Sequence, residues 1–260
     1  MHAHIPRKRF GQHFLHDQGI LRKIVLAIAP QRGDNVVEIG PGEGALTLPL
    51  LRELGHMTVI ELDRDLVPRL AAAAENVGTL EIVNADVLTV DFSTLAKGAP
   101  LRVVGNLPYN ISSPILFHCI DHIEAIRDMH FMLQKEVVDR MAARPGSKVY
   151  GRLSVMLQLV CRVDPLLRVP PGAFRPPPKV DSAVVRLTPR TPSERAFEDF
   201  ALVARIVKAA FGQRRKTLSN ALGELASADA IRAAGIDPRV RAEQLEPAAF
   251  VHLAATIGRA

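Results

Sequence analysis

The sequence predicts an α/β fold in which a parallel, doubly wound sheet of seven strands is followed by a small all-helical domain. Three observations carry that expectation. Between residues 35 and 134 short β-branched or apolar runs alternate with longer helical stretches, as parallel strands and their crossover helices do. The first of those runs passes through a glycine-rich turn directly into a helix. Beyond Thr188 the apolar spacing is helical throughout.

The elements follow in order. Val36–Ile39, Thr58–Glu61, Leu80–Val83, Leu101–Val104 and Met129–Leu133 read as five buried strands. Ala45–Leu54, Arg64–Glu75 and Ser113–Cys119 read as the helices between them, and Tyr150–Val160 as a further helix with Leu153, Met156, Leu157 and Val160 on one stripe. Leu166–Val169 and Ser182–Leu187 are two more strands. The prolines of Pro170–Pro178 bar that stretch from a sheet interior and make it an extended loop. Thr188–Glu194 reads as a boundary, with Ser193 placed to cap the next helix. Phe197–Phe211, Lys216–Leu225, Ala228–Ala234 and Pro247–Ile257 complete the helical part. The expected domains are 1–188, catalytic, and 189–260, helical.

Composition narrows the function. At 260 residues, with 48% hydrophobic and 23% charged content, the chain is neither disordered nor collagen-like. Aromatics are only 5% and Trp is absent, so any base-stacking platform is small. The net charge of +6 is unevenly spread: residues 1–130 hold 12 basic and 15 acidic side chains, residues 131–260 hold 21 and 12. A basic second half suits a polyanionic partner. Cys119 and Cys161 stand alone, which argues against a disulfide framework or a zinc site and fits a reducing cytoplasm. The start lacks the apolar run of a signal peptide, and no stretch is long and apolar enough to span a bilayer.

The chemistry-bearing residues fall at strand ends. In Glu38-Ile39-Gly40-Pro41-Gly42-Glu43-Gly44 the glycines allow a tight turn and let a ligand approach backbone amides at a helix start. Glu61, 21 positions after Gly40, can accept hydrogen bonds from ribose hydroxyls. Gly40, Gly42 and Ala45 also satisfy a dinucleotide fingerprint, so at this point a nicotinamide-dependent dehydrogenase stays open. Asp86, closing the third strand, can accept from an adenine amine. Asn106-Leu107-Pro108-Tyr109 follows the fourth strand. Methylating an aromatic amine requires its lone pair to be turned out of conjugation toward an electrophilic carbon. An Asn oxygen and a backbone carbonyl stiffened by the following Pro can accept the two N–H hydrogens and do this. Tyr109 offers a face for the extruded base, and catalysis is then mainly positioning. Glu38 is expected to support the glycine loop, Glu43 to face solvent, and His118, His122 and His130 to be structural.

Together these residues resemble the S-adenosylmethionine-dependent rRNA adenine N6,N6-dimethyltransferases. The motifs that carry the resemblance are Lys8–Leu15, Glu38–Gly44, Asn106–Tyr109, Phe174–Ser182 and Phe211–Lys216, spread over essentially the whole chain. The resemblance implies a Rossmann-like, seven-stranded methyltransferase sheet. It implies that His13, Leu15, Gly40, Gly42, Glu61, Asp86 and Asn106 line an S-adenosyl-L-methionine site. It also implies that Asn106, Leu107, Pro108 and Tyr109 do the chemistry, with Tyr109 and Phe174 sandwiching the target adenine. His13 departs from the family pattern, which commonly has Asn there. Arg7, Lys8 and Arg9, and Arg214, Arg215 and Lys216, are the expected rRNA contacts. The later motifs and the helical domain are similar to the small-subunit branch of the family. That branch implies dimethylation of two adjacent adenosines in the 3′-terminal hairpin of 16S rRNA within the 30S particle, by a monomeric cytoplasmic protein with no metal. The alternatives are a non-catalytic ribosome-assembly factor and a large-subunit methylase of the macrolide-resistance type.

Overall fold

A computed structural model of the chain describes residues 13–258 apart from Ala196 and Arg214. The chain divides into two compact units, one running to Val138 and resuming over Asp164–Pro189, the other comprising Asp139–Val163 and the chain from Arg190 onward. The second junction lies next to the expected boundary, but Asp139–Val163 groups with the helical unit, not with the sheet.

The sheet unit opens with β1 (Phe14–Leu15) and α1 (Gln18–Ile28). The helix α1 was not expected. Its signals are an Asp17 side chain that accepts from the Gly19 and Ile20 amides, and the buried stripe Leu21, Ile24 and Ile28. Five parallel strands follow: β2 (Asn35–Ile39), β3 (His56–Ile60), β4 (Thr79–Val83), β5 (Leu101–Asn106) and β6 (Ile126–Gln134). Between them lie α2 (Thr47–Leu54), α3 (Val67–Ala74), the short α4 (Phe92–Ala96) and α5 (Ser112–Asp121), and α6 (Lys135–Met141) leaves β6. The next helix, α7 (Arg152–Val160), leads into β7 (Cys161–Val169), while β9 (Ser182–Pro189) inserts antiparallel beside β6. The strand order is β4-β3-β2-β5-β6-β9-β7. Seven strands were expected and seven form this sheet, but β9 breaks the expected parallel run. Pro165 lies in β7, at the sheet's edge, where a missing N–H breaks no central ladder.

Pro170–Pro178 is not wholly loop. Its residues Phe174–Arg175 form β8, which pairs antiparallel with β1, Leu15 opposite Phe174 and Phe14 opposite Arg175. Alternation along so short a ribbon turns Leu15 and Phe174 inward and leaves Arg175 exposed. Both inward residues join a core shared with Leu21, Ile24, Leu50, Val104 and Val184. Beneath it, Arg102 is an unanticipated buried charge. It bonds Asp34 at 2.7 Å and Asp128 at 3.0 Å, and donates to the carbonyls of Ile28 and Ala29 at the end of α1. Burial of that guanidinium is tolerable because its donors are matched by carboxylates and helix-end oxygens.

In the other unit α8 (Phe200–Gly212), α9 (Leu218–Leu222), α10 (Ala228–Ala233) and α11 (Pro247–Gly258) follow one another. Asp199, not Ser193, caps the first of these, accepting from the Leu202 amide at 2.8 Å. Tyr150 is fully buried here, its hydroxyl donating to the Leu245 carbonyl at 2.8 Å and its ring edge-on to Phe211. Among the described residues no helix is long and apolar enough to cross a membrane. Both cysteines are buried thiols, and burial pushes Cys161 up to about 12.

Candidate active site

The chain enters the sheet at β2, moves outward through β3 and β4, then crosses back to β5 on the other side of β2. Such a reversal opens a crevice at the carboxyl ends of the strands. A cavity of about 1230 Å³ lies there. Gly40, Gly42, Glu61, Asp86, Asn106, Leu107, Pro108, Tyr109, His13 and Leu15 all line it.

The glycine loop has the backbone its sequence requires. Gly42 sits at φ +56°, and a Cβ there would come within 2.9 Å of the Phe14 ring. Its amide donates to Glu61 Oε2 at 3.1 Å, and Glu61 Oε1 accepts from the Asp63 amide at 2.8 Å. Glu61 therefore ties the loop to the end of β3 before any ligand arrives. Its position is further fixed by Asn84, whose Nδ2 donates to the Glu61 carbonyl at 2.7 Å. Burial raises the Glu61 carboxyl above its ordinary range. Glu38 is fully buried below the loop, where it accepts from Thr47 Oγ1 at 2.6 Å. Desolvation, with a smaller contribution from Glu61, pushes it up to about 7. Glu43 is exposed, as expected.

Asp86 reaches the cavity from the end of β4. Its Oδ1 caps the turn Val87–Thr89 by accepting from the Leu88 amide at 3.0 Å, which fixes the carboxylate at the rim. Two residues that sequence reasoning missed line the same cavity: Leu62 and Leu88, 48% and 37% exposed. The signal available was an apolar residue directly after Glu61 and another two after Asp86, at positions where a turn normally carries polar side chains.

Asn106 ends β5. Its Nδ2 donates to the His13 carbonyl at 3.0 Å, which leaves Oδ1 as the acceptor on that side chain. Gly105 before it lets β5 run close to β2, since a Cβ would lie 2.6 Å from the Ile39 carbonyl oxygen. The Leu107 amide donates to the Met132 carbonyl at 3.1 Å, and Pro108 stiffens the backbone after it. Tyr109 is anchored by a 2.6 Å hydrogen bond between its hydroxyl and Ser182 Oγ at the start of β9. Burial raises its phenol above the ordinary value. Its ring stacks on His13, centroids 5.6 Å apart and planes at 28°.

Phe174 does not join Tyr109. It is 2% exposed in the core and absent from the cavity wall, which takes Arg175 and Pro176 from that segment instead. The cause is the β1–β8 pairing, whose alternation directs Phe174 inward. Arg215 and Lys216 are exposed at the turn before α9. Arg7, Lys8, Arg9 and Arg214 lie outside the described residues. His118 and His122 bond the carbonyls of Val90 and His118 and pack on Phe92, as structural residues do.

Comparison with known proteins agrees with this architecture. The ribosomal RNA small subunit methyltransferase A of Xanthomonas axonopodis pv. citri is 61% identical over 248 residues, 95% of each chain. That of Xanthomonas campestris pv. campestris is equally similar over the same share. Among solved structures, a dimethyladenosine transferase from Plasmodium falciparum superimposes with a TM-score of 0.80 at 27% identity, covering 93% of this chain and 96% of that one. The 23S rRNA methyltransferase ErmE gives 0.71 at 27% identity, over 94% and 99%. The family model for ribosomal RNA adenine dimethylase matches residues 3–258. The chain thus belongs to the ribosomal RNA adenine dimethylases, a family of methyltransferases built on this Rossmann-like sheet.

Proposed function

We propose that this protein dimethylates the N6 amines of two adjacent adenosines in the loop of the 3′-terminal hairpin of 16S rRNA, within a nearly assembled 30S particle, using S-adenosyl-L-methionine. The observation that carries the reading is Asn106: one of its two amide hydrogens is held by the His13 carbonyl, which fixes the carboxamide at the cavity wall with its oxygen as the acceptor available to a substrate amine. The small-subunit target is favoured over a large-subunit one by the 61% identity to small-subunit relatives, against 27% to the 23S enzyme.

The residues present fit the cofactor. Glu61, locked between two backbone amides, retains lone pairs for the ribose hydroxyls, and Leu62 and Leu88 offer apolar faces for a purine whose amine meets Asp86. Gly40 leaves room for a chain to lie against the backbone, Gly42 lets the Phe14 ring close over the loop, and Leu15 closes the wall. When bound, S-adenosylmethionine supplies an activated methyl group on a sulfonium. Asn106 Oδ1 and the Leu107 carbonyl accept the two amine hydrogens before the first transfer, and one of them takes the hydrogen that remains before the second, so that the nitrogen lone pair is turned toward that carbon; the nitrogen gives up one proton to solvent at each transfer. Tyr109, held through Ser182, supports the ring. In this scheme the helical unit, with Arg215 and Lys216, holds the rRNA backbone, and the protein acts as a monomer in the cytoplasm.

Calorimetry separates this from a nucleotide-dependent redox enzyme. S-adenosylmethionine is expected to bind and nicotinamide dinucleotide not to. Asp86→Ala is expected to weaken the former roughly tenfold, as the loss of one charge-assisted hydrogen bond does. Binding of the dinucleotide alone overturns the reading.

A further inference from the structure

We infer that a second cavity, beneath the end of α1 and at the opposite end of the strands from the crevice, binds a small phosphorylated alcohol, with Arg127 and Arg186 on its phosphate and His130 on its hydroxyl. The inference goes beyond methyl transfer and uses no residue assigned to it.

The cavity measures about 370 Å³, within the range of small-molecule sites. Arg102 and Asp128 in its wall belong to the starts of β5 and β6, whereas Asn106 ends β5. Between them β6 carries an extra residue: Leu101 pairs with Ile126 and Arg102 with Asp128, so Arg127 is a bulge. A bulge re-aims its side chain, and Arg127 here shares Asp34 with Arg102, donating to it at 3.0 Å. On the far side of β6, Arg186 of β9 stands directly opposite His130. Three guanidiniums line the wall against one carboxylate, that of Asp128, and this imbalance selects an anion. Arg102 is committed to Asp34, Asp128 and the end of α1. The other two are not: Arg127 commits Nη1 to Asp34, and Arg186 commits Nε and Nη2 to Asp164. Their remaining N–H groups form the paired donors that a phosphate takes.

His130, expected to be structural, supplies the second observation. It is 3% exposed and lines the cavity, yet neither ring nitrogen has a hydrogen-bond partner among the described residues, unlike His118 and His122. A buried polar atom without a partner carries the full penalty of its desolvation. Nδ1 stands 3.5 Å from Asp128 Oδ1. A carboxylate only accepts, so the hydrogen sits on Nδ1 and Nε2 presents a lone pair. The partner that atom lacks is an O–H donor. A phosphate dianion has none, whereas an alcohol carried on the same phosphate does. The cavity is larger than a bare phosphate needs, and the pairing of His130 with Arg186 across β6 and β9 keeps the two contacts side by side.

The test is calorimetry on the full-length protein at about pH 7.5, above the second phosphate ionisation near 6. The probes are glycerol 3-phosphate and methyl phosphate, which lacks the hydroxyls. Glycerol 3-phosphate is expected to bind roughly 5-fold more tightly than methyl phosphate, the contribution of one neutral hydrogen bond. Arg127→Gln and Arg186→Gln alter side chains that are 56% and 44% exposed, so both variants should fold. Each is expected to weaken both probes roughly 10- to 100-fold, as the loss of a charge-assisted contact does. His130→Phe keeps the ring shape and removes the orphaned nitrogens. It is expected to erase the preference for glycerol 3-phosphate while holding or raising the melting temperature. No binding of glycerol 3-phosphate by the wild-type protein overturns the proposal. Binding that both arginine variants leave unchanged lies elsewhere, as at the glycine loop, and overturns it too. Equal affinity for the two probes, or a His130→Phe variant that melts lower and keeps the preference, overturns the role of His130.

Discussion

Asn106 and Glu38 can each be tested as a single side chain. Asn106→Ala removes the offered oxygen and one hydrogen bond to the His13 carbonyl. It is expected to reduce kcat by at least about 100-fold, as removal of one positioned polar group in an active site does. Stability should fall by only about 1 kcal/mol, the net worth of that bond, and transfer assays beside thermal unfolding check both halves. Glu38 gives a pH signature. Its carboxyl titrates near 4.5 when unfolded and about 7 when buried, so the folded state holds the proton more tightly. The stability this confers is present below pH 4.5 and is lost as pH rises to about 7. The full difference is about 3 kcal/mol. Glu38→Gln keeps the acceptor for Thr47 and removes the ionisation. The cofactor-free variant should therefore gain stability relative to wild type between pH 5 and pH 8, and a constant difference in melting temperature would refute this. Both residues were legible in the sequence because strand ends and glycine turns are local signals. The burial of Phe174 was not, since it follows from pairing with Leu15, far away in the chain.

Two elements are set by close backbone approach, and substitution should separate them. A Cβ at Gly42 meets an aromatic ring that can shift, whereas one at Gly105 meets the Ile39 carbonyl oxygen of the neighbouring strand, which cannot move without breaking the β2–β5 ladder. Gly105→Ala is thus expected to cost more stability than Gly42→Ala. Gly42→Ala, strained at its positive φ by about 1–2 kcal/mol, should chiefly weaken cofactor binding. Denaturant unfolding and calorimetry read the two effects, and an opposite order would show that the glycine loop, not β5, is the rigid element. The strands and most crossover helices were readable from periodicity. The helix α1 was not read, although Asp17 and the Leu21–Ile24–Ile28 stripe mark it, because it lies ahead of the alternating pattern. The ribbon β1–β8 has too few residues to show any period. Arg102 sits inside a strand-like run and reveals its partners only when α1 and β6 are in place.

At the level of the whole molecule, the charge division fits the proposed function. The chain to residue 130 is slightly acidic and supplies most of the cavity, while the basic excess follows it. A junction of the two units falls at Pro189–Arg190, beside the prolines of that stretch, and the grouping of Asp139–Val163 with the helical unit was not legible, because that segment's partners lie roughly 30 to 95 residues further along the chain. Changing Arg214, Arg215 and Lys216 together to Ala should lower the slope of log affinity for ribosomal subunits against log salt. Removing one cation from a phosphate is expected to take roughly 0.7–0.9 off that slope, and an unchanged slope would place the rRNA interface elsewhere. The central claim is tested most directly by incubating the protein with immature 30S subunits and labelled S-adenosylmethionine, then mapping every modified base. The account predicts two methyl groups on the N6 of each of two adjacent adenosines in the 3′-terminal hairpin of 16S rRNA and none elsewhere. Label in 23S rRNA, on another atom, or on no RNA at all would contradict it.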